Sequence, residues 1–135
     1  MVIKKSIDIE DAVRQELSIY LTAYCRPLPA DYPLPNILVS SIGGTSEADW
    51  HGTNQSDTFT VNLTSRGKNE AEALDCLRTA IGILQAAQGG VLARVRINSQ
   101  YSWGEDGRRP DLASCGATLL ITARPETITL NQEES

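Results

Sequence analysis

The chain has 135 residues, a formal net charge of −5 and 41% hydrophobic residues. This length is typical of one globular domain, and the acidic balance argues against a general DNA- or RNA-binding domain, which would carry a basic stripe. The N-terminus lacks the apolar segment of a secretory signal, and no apolar run is long enough to span a membrane. We therefore expect a single soluble domain over residues 1–135 that is made in the cytosol.

The first predicted element is a helix over residues 8–24, because apolar side chains recur there with a 3.6-residue period. Asp8 is the expected N-cap, and Glu10 and Asp11 suit the positive end of the helix dipole. The four prolines of residues 26–36 predict an extended segment after this helix. The periodic apolar residues are Ile9, Val13, Leu17, Tyr20, Leu21 and Tyr24.

Two strand predictions follow. Residues 37–42 are nearly all apolar and predict a short strand that Gly43-Gly44 ends, with residues 43–56 forming a hairpin arm or a long loop. Residues 57–65 alternate between apolar and polar side chains, which is typical of a strand with one face on the core and one facing water or a partner. The apolar set is Phe59, Val61 and Leu63, and the polar set is Thr58, Thr60, Asn62 and Thr64.

A second helix follows this strand directly, after Arg66-Gly67-Lys68. Asn69 with Glu72 three residues later is the pattern of a capping box, and Gly89-Gly90 is the expected stop. Small residues on this helix would allow it to approach a sheet or another helix closely. These small residues are Ala73, Ala80 and Gly82.

The last part of the chain predicts a pair of strands. Residues 91–103 alternate, with Val91, Val95 and the other odd-numbered residues on one face, and residues 112–124 form the return strand. Residues 104–111 between them predict an eight-residue charged loop. Residues 126–135 are predicted as a flexible acidic tail, although Thr127–Leu130 could add a short strand.

Together these elements predict an α+β fold. The simplest arrangement is a single mostly antiparallel sheet of about four strands with the two helices packed on one face. The other face of the sheet would then be polar, and could be wet, line a cavity or meet a partner.

The sequence offers little chemistry. His51 is the only histidine, so a pair of histidines cannot bind a metal. Glu47, Asp49 and His51 would share one face of a strand and could form a weak metal or acid–base site, but the surrounding Gly, Ser and Thr favour a solvated loop. Cys25 and the other two cysteines are far apart, which favours thiols in a reducing compartment. We expect a non-enzyme without cofactor or metal.

The loop at 104–111 has two interpretations. Glu105, Asp106 and Asp111 could bind a divalent ion, but pairing with Arg108 and Arg109 is favoured. The aromatic residues near the loops are either buried anchors or anchors of a protein interface, because Trp and Tyr contribute much of the energy of protein contacts. The candidate interface residues are therefore Asp49, Trp50, His51, Tyr101, Trp103, Glu105, Asp106, Arg108 and Arg109.

The chain resembles the tail terminator (tail completion) proteins of long-tailed bacteriophages, including the lambda-type neck proteins of siphophages. The resemblance covers most of the chain. It rests on the N-terminal helix from Asp8 to Tyr24 with its Pro-rich extension, and on the strand Phe59–Arg66 that enters the Glu-Ala-Glu-Ala-Leu74 helix. A strand ending in Tyr101-Ser-Trp103 and the final apolar strand Ala117–Thr122 complete it.

This resemblance implies a small subunit of a homo-hexameric ring. Such a ring caps the finished tail tube, stops its polymerisation and offers a surface to the head–tail connector protein, while DNA only passes through the lumen. The location would be the virion neck, after assembly in the host cytoplasm without membrane contact. Residues 43–56 and 104–111 would contact neighbouring subunits, tail tube protein or connector. An acidic protein would suit DNA passage if its acidic groups line the lumen.

Other functions stay open. The long 43–56 segment and the acidic C-terminus depart from the resemblance, so a head-closure or head–tail connector protein is an alternative. A small non-catalytic protein-binding adaptor and, with less support, a small hydrolase or nuclease using Asp49 or His51 are the others.

Overall fold

The computed structural model describes the backbone of residues 1–25, 33–48, 54–106 and 109–131, and the side chains of residues 1–25, 33–41, 57–100 and 113–131. Two helices and seven strands lie in these residues. They are β1 (Val2–Lys5), α1 (Ile9–Ser18), β2 (Ala23–Tyr24), β3 (Asn36–Ala48), β4 (Asn54–Gly67), α2 (Glu70–Ala86), β5 (Leu92–Asp106), β6 (Arg109–Ala123) and β7 (Glu126–Thr129).

The strands form two sheets. The larger has five strands in the order β2-β3-β4-β6-β5, and the smaller pairs β1 with β7 in an antiparallel ribbon. Only the short β2 is parallel to its neighbour, so the α+β class and the mostly antiparallel pairing are confirmed. The prediction of a single sheet of about four strands is wrong. The strands it missed have two to four residues, too few for an alternating pattern to appear.

Both helices cover one face of the larger sheet, which we call the inner face. Val61 and Leu63 of β4 and Leu119 of β6 are fully buried there with Val13 of α1 and Leu84 of α2, in one core. Two hydrogen bonds fix the helices on this face. The backbone N–H of Ser41 donates to Glu10 of α1 at 2.7 Å, and the Ser65 hydroxyl donates to the carbonyl of Ala73 in α2 at 2.7 Å.

The strand-to-helix junction at residues 65–73 has the predicted cap at Asn69, but Glu72 bonds the backbone N–H of Lys68 instead of that of Asn69. The side chain of Asn69 accepts a hydrogen bond from the Glu72 N–H at 2.8 Å, and the Glu72 carboxylate accepts one from the Lys68 N–H at 3.2 Å. Gly67 is necessary here, because a Cβ at this position would lie 2.7 Å from the backbone nitrogen of Ala73. The chain therefore enters the helix without a loop.

The first helix is shorter than predicted. It ends at Ser18, and Ile19 and Tyr20 beyond it are 67% and 70% exposed, so Tyr20 does not continue the buried stripe. The chain then forms β2, where Ala23 pairs with Ile37 of β3. The extended Pro-rich segment lies largely outside the described residues.

Two glycine positions also correct the prediction. Gly43-Gly44 does not end β3, since a register shift after Ser41 lets the strand continue to Ala48 and form the hairpin arm with β4. Gly82 does not mediate a close approach, because a Cβ there would meet nothing within 4 Å. Gly89 has a φ of 100°, which only glycine adopts readily, and it follows the end of α2 as predicted.

The last strands depart from simple alternation. A register shift between Leu92 and Arg94 places both Leu92 and Val95 in the core, while Val91 is 56% exposed. The prediction of an eight-residue loop at 104–111 is wrong, because β5 runs to Asp106 and β6 starts at Arg109. At the C-terminus, residues 126–129 form β7, which is the short strand that the sequence offered as the alternative to a flexible tail.

Candidate functional site

The structure describes five of the nine predicted interface residues. Asp49, Trp50, His51 and Arg108 lie outside the described residues. The other five lie at the far ends of β5 and β6, and only their backbone is described. They are Tyr101, Trp103, Glu105, Asp106 and Arg109.

The fold does not bring together the described ends of the two hairpins, Ala48 with Asn54 and Asp106 with Arg109. The β3–β4 hairpin turns after Ala48, whereas the β5–β6 hairpin turns after Asp106. The register pairs Asp57 near the first turn with Ala123, and Gly67 at the other end of β4 with Ala113. The two hairpin ends therefore lie at opposite ends of the sheet, on the order of 50 Å apart along the strands at about 3.3 Å per residue.

The side of the sheet that faces away from the helices, here called the outer face, is polar as predicted. Residues directly opposite each other on antiparallel strands point to the same side, so the strand register defines the rows of this face. Asn62 accepts a hydrogen bond from the Thr118 hydroxyl at 2.8 Å, and the hydroxyls of Thr58 and Thr122 are 3.3 Å apart. These cross-strand contacts tie β4 to β6 at the centre of the sheet.

Two arginines extend these rows onto β5. Arg94 lies opposite Thr122, which lies opposite Thr58, and Arg96 lies opposite Leu120. Both arginine side chains are exposed. The sequence alone placed them on one side of β5, but the strand register was needed to show that they share a face with Thr58.

Each edge strand of the larger sheet is covered over only part of its length in the described residues, and at the β3 edge the Ser41 N–H is already bonded to Glu10 of α1. Among the described residues, no strand pairs with the outer edge of β5, and β2 covers β3 only at Ile37 and Leu38. The edge of β5 is closed near its start, where the backbone N–H of Val95 donates to the side chain of Gln88 at 2.9 Å. From residue 96 to residue 100, no described group bonds its outward N–H and C=O groups, which could therefore pair with another strand.

Two surface clefts offer no catalytic arrangement. The first, of about 250 Å³, lies between α1 and the end of β7 and is lined by Asp8, Asp11, Glu16 and Glu126. Asp11 is engaged by Arg14 at 2.7 Å, and this hydrogen bond lowers the pKa of the Asp11 carboxyl. The second, of about 520 Å³, lies between the two helices. It is lined by Glu16, Tyr20, Thr79, Gly82, Ile83, Ala86 and Ala87.

The described residues contain no cluster of three or more His, Cys, Asp or Glu side chains that could hold a metal ion. All three cysteines are free, and burial raises the pKa of the Cys25, Cys76 and Cys115 thiols. A raised pKa disfavours the thiolate, the nucleophilic form. None of the helices in the described ranges is both long and apolar enough to cross a membrane.

No family model matches the sequence, and no curated protein matches it either. The function therefore has to be argued from the surfaces of the fold.

Proposed function

We propose that the protein is a phage structural protein that forms a homo-hexameric ring on the completed tail tube, ends tail polymerisation and provides the surface for head–tail joining. The observation that carries the proposal is that no described strand covers β5 beyond Val95 or β3 beyond Ser41, at the two edges of the larger sheet. Its four long strands, β3, β4, β6 and β5, alternate in direction. A copy placed head to tail therefore meets β5 with its own β3 in antiparallel orientation.

Head-to-tail contacts of this kind are heterologous and close into rings when the rotation between copies fits. The register shifts in β5, for instance between Ile97 and Ser99, restrict which strand can pair with it. This favours one defined neighbour over unspecific aggregation. The helices would lie on the outer surface of the ring. The sheet face that points away from the helices, the outer face defined above, would line the lumen.

The hairpin ends give the subunit two different poles. One pole lies where β3 ends at Ala48 and β4 begins at Asn54, the other lies where β5 ends at Asp106 and β6 begins at Arg109, and the strands between them set their separation. A ring built from such subunits has one rim for the tail tube and another for the connector. This two-ended form supports a position between tail and head rather than an adaptor role.

The edge contact can be tested by blocking one N–H group. The Val95 N–H points away from β6, and alternate residues of an edge strand point the same way, so the Ile97 N–H also points outward. We expect Ile97→Pro to abolish the ring in size-exclusion chromatography with light scattering while circular dichroism stays native. Ile97→Ala keeps the N–H and should keep the ring. A ring that survives Ile97→Pro contradicts the edge contact.

The role in the phage is tested by electron microscopy of lysates in which this gene is deleted. Overlong, unjoined tails beside full heads are expected of a terminator. Tails of normal length that fail to join would show a connector instead. Normal infectious particles would refute both structural roles.

A further inference from the structure

The described carboxylates all lie away from the outer face of the larger sheet. The outer face carries the exposed Arg94 and Arg96 and no described carboxylate. The described carboxylates belong to the helices and their caps, to the β1–β7 ribbon, and to Asp57 on the inner face. They are Asp8, Glu10, Asp11, Glu16, Asp57, Glu70, Glu72, Asp75 and Glu126. Among the described side chains, the charge on the outer face is therefore positive, although the whole chain has a net charge of −5.

The row neighbours of the two arginines are uncharged, and three of the four, Thr58, Thr60 and Thr122, carry a hydroxyl. Thr58 and Thr122 extend the row of Arg94, and Thr60 lies on the row of Arg96 across Leu120. Arginine, threonine and asparagine side chains are the groups that contact nucleic-acid phosphates without reading sequence. Carboxylates in these rows would have offset the arginine charges, and the described part of the face has none.

We propose that the outer sheet face contacts the phosphate backbone of double-stranded DNA through Arg94 and Arg96. The proposal rests on the ring proposed above, because a ring repeats the arginine pair around a lumen through which DNA passes. It replaces the expectation of an acidic lumen over the described part of the face. Two cations per subunit give weak contacts that salt disrupts, which permits DNA to slide.

The test is fluorescence anisotropy of a labelled short DNA duplex with the full chain at low salt. Arg94→Gln with Arg96→Gln should reduce the affinity at least tenfold, and should lower the slope of log affinity against log salt by about 1.8 for each subunit in contact. Arg14→Gln with Arg78→Gln is the matched control, since it makes the same charge change on the helices. The control should stay within about twofold of the wild type, as expected of positions away from the DNA.

Three results would overturn the proposal. Wild-type protein could fail to bind the duplex at low salt, or both double variants could lose affinity equally, which would show a general charge effect. Polyglutamate could also compete for the wild type as strongly as unlabelled duplex, which would identify an acidic protein as the partner. Light scattering on the same samples separates the two proposals. If the protein forms rings but its DNA binding does not depend on the two arginines, only this inference is refuted. If the protein is a monomer whose DNA binding depends on them, only the ring is refuted.

Discussion

Gly67 is the residue at which the strand-to-helix junction is most easily broken. A Cβ added there would lie 2.7 Å from the Ala73 nitrogen and 3.1 Å from the Glu72 Cβ. The Ala73 nitrogen cannot move freely, because it donates to the Asn69 carbonyl at 3.1 Å and its own carbonyl accepts from Ser65 at 2.7 Å. Gly67→Ala therefore forces backbone against backbone.

The magnitude follows from two opposing effects. Overpacking of a tight site costs about 1–3 kcal/mol, and the strained backbone hydrogen bonds place Gly67 at the upper end of this range. Replacing glycine by alanine also restricts the unfolded chain, which stabilises the fold by about 0.4–1 kcal/mol. We expect a net loss of about 2 kcal/mol in the free energy of unfolding, or about 7 °C in Tm for a chain of this length.

Urea unfolding followed by circular dichroism measures this loss. Gly82→Ala is the control, because its Cβ would meet nothing within 4 Å in the exposed part of α2. It should stabilise the protein by about 0.5–1 kcal/mol through helix propensity. If Gly67→Ala is as stable as the wild type, or if both variants change stability in the same direction, the reasoning about the junction is wrong.

Three further predictions address the cap, a buried carboxylate and the thiols. Asn69→Ala removes the cap of α2 and should cost about 1 kcal/mol in urea unfolding, whereas Asn69→Asp should recover most of it; equal losses would argue against the cap. Ser6→Ala removes the hydroxyl that donates to Asp57 Oδ2, and Asp57 Oδ1 is already buried without a partner. The loss should be about 1–3 kcal/mol, and a thermal melt unchanged from the wild type would contradict it. Burial raises the pKa of Cys76 above its ordinary 9.0, so its contribution to stability is complete below pH 9.0 and is lost as pH rises through the folded pKa. Unfolding measured across this range should show weaker pH dependence in Cys76→Ala than in the wild type, and identical profiles would exclude this thiol as a source.

The sequence predicts the junction well and the ends of the chain poorly, for physical reasons. Between Phe59 and Leu84 the two-residue alternation of the strand and the 3.6-residue repeat of the helix each extend over many residues, and the helix has clear cap residues. Local preference and tertiary packing therefore agree. The ribbon residues Val2–Lys5 and Glu126–Thr129 are mostly exposed and pair across the whole chain, which no local pattern can show. Tyr20 fits the helical period, yet the chain leaves the helix before it to reach β2.

The candidate surfaces were predictable only in part. The alternation of polar residues from Thr58 to Thr64 predicts the polar side of β4. The row that joins Thr58 to Arg94 depends on pairing between strands distant in sequence, which alternation does not show. The register shift after Leu92 could not be anticipated from alternation, because it changes which residues of β5 face the core. The interface role of the hairpin residues such as Trp50 and Arg109 stays a prediction.

The position of β6 also has a consequence for how the chain folds. The centre of the larger sheet is the pairing of β4 with β6, although α2 and β5 lie between them in sequence. During synthesis the β3–β4 hairpin can form early. The edge of β4 that pairs with β6 stays unpaired until residues 113–123 have been made. Such non-local pairing slows folding and leaves a strand edge exposed meanwhile. We expect newly made chains to be most prone to aggregation in this interval, before β6 closes the sheet.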